Sequence, residues 1–249
     1  MFSHIKHITK HEVANNIKQL FTLRYYKDGL SGWTPQSRIL WLIGLAVIFV
    51  TAAPHGFDSI NVIATLGGMI GFTCTMTITN GKSVNGILGF ISAILISTVA
   101  IHSGNYADVS MQSMYILFLD LPIMLFGNQW SQAKIKAFDM NAVKLILAVA
   151  IIGFSLMYVL DTSVFLSPRP MIDSISATTG FVGLFLMLGK YRAQYVAWML
   201  GSVISITLWL MTALQGDANW VMFATYCVYM SSSLIGMFWS VWSHPEKVN

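Results

Sequence analysis

Eight apolar runs, each of roughly 17 to 24 residues, divide this chain at about 38–54, 59–79, 84–102, 108–128, 142–160, 174–189, 195–213 and 219–242. A helix rises about 1.5 Å per residue, so each run is long enough to cross a hydrocarbon core of about 30 Å. Strands would span with segments of about ten alternating residues, and no such alternation is present. The chain therefore reads as an all-α integral membrane protein with eight transmembrane helices. Its composition agrees: 55% of its 249 residues are hydrophobic and 10% are charged, against about a quarter charged in soluble domains.

The net charge of +4 does not point to nucleic acid, because of where the basic residues fall. Threading eight helices puts Lys6, Lys10, Lys18, Arg24, Lys27, Arg38, Lys82, Lys134, Lys136, Lys144, Lys190, Arg192 and Lys247 on one side and Arg169 alone on the other. Basic loops stay in the cytoplasm, so both termini are expected there. The first 37 residues carry charges throughout and no apolar h-region, so no signal peptide is expected. Residues 1–37 read as a cytoplasmic or interfacial arm with Leu20, Phe21, Leu23, Tyr25 and Tyr26 against headgroups, and 243–249 as a cytoplasmic tail. Cys74 and Cys227 fall inside different spans and read as small packing residues. Trp130, Trp239 and Trp242 lie at cytoplasmic helix ends and read as interfacial belt residues.

The triplet Asp-Ser-Ile occurs twice, at Asp58-Ser59-Ile60 and Asp173-Ser174-Ile175, and each copy opens an apolar run that closes on Gly-Lys (Gly81-Lys82, Gly189-Lys190). Each run is followed by a helix that rises to a short polar turn and a third that returns. The sequence thus predicts an extra first helix (38–54), a three-helix unit (58–128), a linking helix (142–160) and a second unit (173–242) in the same orientation. Parallel repeats of this kind place a substrate site near the midplane between the copies. Asp58 and Asp173 are expected to cap helix N-termini rather than to touch a ligand.

Polar side chains are costly against lipid, so at helical spacing they mark inward faces. Gln194, Trp198, Gly201, Ser205, Trp209 and Thr212 form one stripe; Asp108, Gln112 and Tyr115 share a face; so do Asn219, Phe223, Tyr226, Met230 and Ser233. Asn85, Gly89 and Ser92, and Ser176, Gly180 and Gly183, supply two more. The candidate binding residues are Asn85, Gln112, Tyr115, Gln194, Trp198, Trp209, Asn219 and Tyr226. Amides, hydroxyls and rings without a basic cluster suit a flat, hydrogen-bonding, nonphosphorylated solute, the more so if it is cationic. Small-residue stripes also serve plain helix packing. Asp120, in Leu119-Asp120-Leu121-Pro122, lies about 120° from the Asp108 face of a straight helix at about 100° per residue, which argues against direct substrate contact; it reads as a proton-coupling acid, a countercharge or a helix contact beside the Pro122 kink, the last being favoured.

Other chemistry is not supported. Asn80-Gly81-Lys82-Ser83 ends like a phosphate-binding loop, but Met76 stands where its first Gly belongs. His4, His7 and His11 lack a fourth ligand and read as a solvated face. No nucleophile triad, metal motif or cofactor site is visible, and no enzyme activity, cofactor or nucleic-acid partner is expected.

Taken in order, Gly81-Lys82 with Asn85 and Gly89, Tyr106-Ala107-Asp108 with Gln112, Asp173-Ser174, Lys190-Tyr191, and Tyr195 with Trp198 resemble the PnuC transporters of nicotinamide riboside over most of 58–242. That family has the 3+1+3 helix plan also seen in SWEET sugar transporters. The resemblance implies facilitated diffusion of nicotinamide riboside across the bacterial inner membrane, with a cytoplasmic kinase trapping it by phosphorylation. A neighbouring branch carries thiamine or riboflavin. The chain departs from the family at Tyr195, where the first Trp of a WxxW pair is usual, at Ser202, where Asn is usual, and at Asp120-Leu121-Pro122-Ile123, which replaces a Gly-aromatic run. The rival from another class is a non-transporting membrane subunit or anchor, which predicts stripes packed dry against one another. A homo-oligomer is compatible with the sequence, which carries no signal of oligomeric state.

Overall fold

In the computed structural model, which describes residues 9–56, 58–217 and 219–244, the apolar runs are helices. Two short helices, α1 (Lys10–Gln19) and α2 (Leu23–Gly29), precede α3 (Pro35–Ala52). Then follow α4 (Ser59–Thr79), α5 (Asn85–His102) and α6 (Tyr106–Tyr115), which runs through a π-helical turn (Ile116–Asp120) into α7 (Leu121–Gln132). The chain ends with α8 (Met140–Ser163), α9 (Pro170–Leu188), α10 (Gln194–Thr212) and α11 (Trp220–Phe238). Among the described residues eight helical segments are long and apolar enough to cross a membrane, with Tyr106–Gly127 counted as one. The chain is a multi-pass membrane protein. Its outer surface suits a bilayer: Ile39, Leu42, Ile43 and Val50 on α3 and Leu147, Ile151, Ile152 and Leu156 on α8 are exposed.

Helix α5 packs on α4 and α6, and α10 packs on α9 and α11. Across the bundle α4 meets α11 while α6 meets α9; α8 lies on α9, and α3 lies on α4 and α11. Eight crossings leave the start of α3 and the end of α11 on one face of the bundle, here the terminal side, with the opposite face the far side.

The turn closing α4 and the turn closing α9 are built alike. Gly81 N–H donates to Ile78 O and Lys82 N–H to Thr77 O; Lys190 N–H donates to Met187 O and Tyr191 N–H to Leu186 O. Asn85 N–H then donates to Lys82 O, and Gln194 N–H to Tyr191 O. Gly81 therefore corresponds to Lys190, both with positive φ (+67° and +60°), and Asn85 to Gln194. The two Gly-Lys doublets are out of register by one residue. The left-handed position falls to the glycine in the first and to the lysine in the second, where an L side chain pays for that conformation.

The two Asp-Ser-Ile triplets also differ. Asp58 caps α4, its Oδ1 accepting from Ile60 N and Asn61 N at 2.9 Å each. Asp173 does not cap its own helix, which begins at Pro170. Its carboxylate instead accepts from Ala107 N (3.0 Å) and Asp108 N (3.2 Å), the free amides at the start of α6. An anion at a helix N-terminus is favourable wherever it comes from in the chain. Beside it Arg169 is buried, donating to Asn105 Oδ1, Ser103 O and Gln215 Oε1.

On the terminal side Trp242 leaves the interface expected of it: it is fully buried, and its Nε1 donates to Ile78 O at 2.9 Å. Trp130 packs against it, while Trp239 stays exposed. In the arm, Phe21 and Leu23 are exposed, but Leu20 is buried and the Tyr25 hydroxyl donates to Ser83 O. His11 is exposed; His4 and His7 lie outside the described residues.

Candidate functional site

A cavity of about 140 Å³ lies in the middle of the bundle, lined from α4, α5, α6 with its π turn, α9, α10 and α11. Four of the eight sequence candidates line it: Gln112, Tyr115, Trp198 and Tyr226. Helical spacing brings them there. Gln112 and Tyr115 are three apart on α6, and Tyr115 faces a small residue on the neighbouring helix. Gly180 is what admits Tyr115: a Cβ there would lie 2.9 Å from its hydroxyl, which donates to Gly180 O at 3.3 Å. Gly183 likewise admits Trp198, since a Cβ would stand 2.0 Å from the indole nitrogen.

The polar contacts orient these side chains. Gln112 Nε2 donates to Asp108 Oδ1 (3.2 Å) and the Tyr226 hydroxyl to Asp108 Oδ2 (3.4 Å), so one buried carboxylate holds two lining groups. Trp198 meets Tyr195 edge-on with centroids 5.6 Å apart, and its Nε1 has no hydrogen-bond partner among the described residues. Ser176 and Ser205 pair across the cavity wall at 2.8 Å. The cavity thus offers ring faces, an indole N–H, an amide and several hydroxyls.

The other four candidates sit elsewhere. Asn85 and Gln194 occupy equivalent places at the starts of α5 and α10, outside the lining; Asn85 Nδ2 donates back to Lys82 O at 2.6 Å. Trp209 stacks behind Tyr226, centroids 6.4 Å apart and planes 16° from parallel, so it backs the wall without forming it. Asn219 precedes α11 at the far side, its carbonyl accepting from Met222 N and Phe223 N.

Tyr229 and Asp120 line the cavity but were not among the sequence's binding candidates. Tyr229 follows Tyr226 by three and could have been read from that spacing. Asp120 could not. An i→i+5 turn inserts one residue into a helix and rotates everything after it by about 100°, which cancels most of the 120° that a straight helix would give. The π turn Ile116–Asp120 thereby brings Asp120 onto the cavity face, against Gly89.

The model of a family described as nicotinamide mononucleotide transporter matches residues 61–244. The chain belongs to the nicotinamide mononucleotide transporter family. Two relatives of this transporter family are nicotinamide riboside transporters PnuC. The one from Neisseria mucosa is 23% identical over 232 residues, 88% of this chain and 86% of the relative. The one from Haemophilus influenzae is 24% identical over 225 residues, 86% of this chain and 93% of the relative. The crystal structure of the vitamin B3 transporter PnuC has the same fold, with a TM-score of 0.73 at 21% identity, covering 86% of this chain and 94% of that one. The family description names a phosphorylated solute, whereas the relatives are named for the nucleoside. For this member of the nicotinamide mononucleotide transporter family the lining speaks to the difference: it contains no Lys, Arg or His among the described residues.

Proposed function

We propose that this protein takes up nicotinamide riboside by facilitated diffusion, with the substrate held in the central cavity by Gln112, Tyr115, Trp198 and Tyr226. The observation that carries this reading is the chemistry of the lining. A nucleoside needs a ring platform and donors and acceptors for an amide and sugar hydroxyls, which the cavity supplies. A phosphate needs charge-assisted donors, which are missing from it among the described residues. The relatives named as nicotinamide riboside transporters support the same substrate.

The reading includes two parallel three-helix units, 58–128 and 173–242, joined by α8. Equivalent turns after α4 and α9, and the reciprocal packing of α4 on α11 and α6 on α9, support it. On that register Gly71 answers Gly180 and Gly89 answers Trp198, all at the cavity. Both termini are assigned to the cytoplasm of a bacterial inner membrane. The far-side Arg169 is buried in hydrogen bonds and so is not a loop charge. A cytoplasmic kinase would trap the product. A non-transporting anchor has no use for a polar cavity between its helices.

Titration of the detergent-purified protein with nicotinamide riboside, thiamine and riboflavin tests this. Binding of the riboside alone is expected; binding of none of the three sinks the vitamin reading, and preference for thiamine or riboflavin reassigns it.

A further inference from the structure

We propose that Asp120 is the counter-ion for the positively charged ring of the substrate, and so selects a quaternary aromatic cation over a neutral ring of the same shape; this rests on the riboside reading above. Asp120 is 3% exposed and lines the cavity. Its Oδ2 is buried with no partner, and among the described residues no hydrogen bond or ion pair reaches the side chain. The second acid at the site, Asp108, has both oxygens engaged by Gln112 and Tyr226. Asp120 is therefore the carboxylate with unused capacity.

A buried acid placed only to pack helices would be hydrogen-bonded, because an unsatisfied one costs free energy in the interior. This one is instead accommodated by a deletion and an insertion. Gly89 stands where the equivalent helix of the other unit carries Trp198, and a Cβ at Gly89 would lie 2.2 Å from Asp120 Oδ1. The π turn supplies the rotation that brings the carboxylate into that space. The cavity thus has the Trp198 indole on one helix and, against the glycine that corresponds to it, the Asp120 carboxylate. An N-glycosylated pyridinium has a planar face for the first and a fixed charge for the second. Its ring nitrogen has no hydrogen to donate, so only charge and ring faces can recognise it.

The experiment compares nicotinamide riboside with benzamide riboside, the neutral C-glycoside in which benzene replaces the pyridinium. The unaltered protein, Asp120→Asn and Asp120→Glu are purified in detergent and titrated with each. The unaltered protein is expected to prefer the cation by roughly tenfold to a hundredfold. Asp120→Asn should lose that factor for the cation, keep its affinity for the neutral ligand within about threefold and melt no lower, while Asp120→Glu should recover part of the preference. An unchanged preference in Asp120→Asn, or equal loss of both ligands, overturns the counter-ion role and leaves the riboside reading intact. Failure of the unaltered protein to bind nicotinamide riboside overturns both.

Discussion

Substituting Gly183 by Ala tests the position of the Trp198 ring without removing the ring. The added Cβ would sit 2.0 Å from Nε1 and 2.1 Å from Cδ1 of the indole. Reaching the 3.4 Å of ordinary contact requires a displacement of about 1.4 Å. Behind the ring Tyr195 is buried edge-on at 5.6 Å, and Tyr195 is itself wedged over Gly236, where a Cβ would lie 2.0 Å from the phenol ring. The indole therefore yields toward the cavity, the direction with free space. Overpacking of this kind costs about 1 to 3 kcal/mol of stability. Because the shifted ring occupies part of a 140 Å³ space, it also loses the stacking geometry, worth roughly 1 to 1.5 kcal/mol, or about tenfold in Kd. Calorimetric titration with nicotinamide riboside should show that loss in Gly183→Ala and a loss of about 1 to 3 kcal/mol in Trp198→Ala. Unchanged affinity in Gly183→Ala, with the protein folded, would refute the placement of the ring against the substrate.

Three further outcomes follow from the geometry. Lys190, outside the spans, has its ammonium 3.8 Å from the Trp130 ring centroid and 4.7 Å from that of Trp242, with no carboxylate in ion-pair range among the described residues; burial lowers its pKa to about 7. The unfolded chain then holds more protons than the folded one above pH 7, so stability rises with pH by at most about 1 kcal/mol per unit, the indole faces opposing the shift; the apparent Tm in detergent should climb from pH 7 to 9 and flatten in Lys190→Met. Arg169→Ala strands Asn105 Oδ1 and Ser103 O in the interior and should destabilise the protein by roughly 2 kcal/mol or more, read as a fall in Tm. Trp209→Phe keeps an apolar ring stacked behind Tyr226 and should change riboside affinity less than about threefold, whereas Tyr226→Phe, which removes the bond to Asp108, should weaken it by about 1 kcal/mol.

The eight spans were legible because lipid permits few alternatives: uninterrupted apolar length decides the helix number, and glycine-bearing turns place the breaks. Gln112, Tyr115, Trp198 and Tyr226 were legible as large polar or amphipathic side chains at inward spacing. Asn85, Gln194, Trp209 and Asn219 share those stripes, but a stripe runs the whole length of a helix while the cavity occupies only its middle, and periodicity carries no depth. Local backbone irregularity was also hidden. The π turn that aims Asp120 inward leaves no mark in a run of Ile116, Leu117, Phe118 and Leu119, and the one-residue offset between Gly81 and Lys190 appears only in which amide bonds which carbonyl. Of the paired Asp-Ser-Ile triplets, Asp58 caps its own helix as expected, whereas Asp173 caps the start of another, a partner that no sequence pattern marks.

Uptake into proteoliposomes separates the nucleoside from its phosphate most directly. With labelled nicotinamide riboside outside, the purified protein should equilibrate the label down its gradient, and an equal concentration of nicotinamide mononucleotide should leave the rate unchanged, because among the described residues the cavity has no cation to receive a phosphate. Competition by the mononucleotide as strong as by unlabelled riboside would contradict the account.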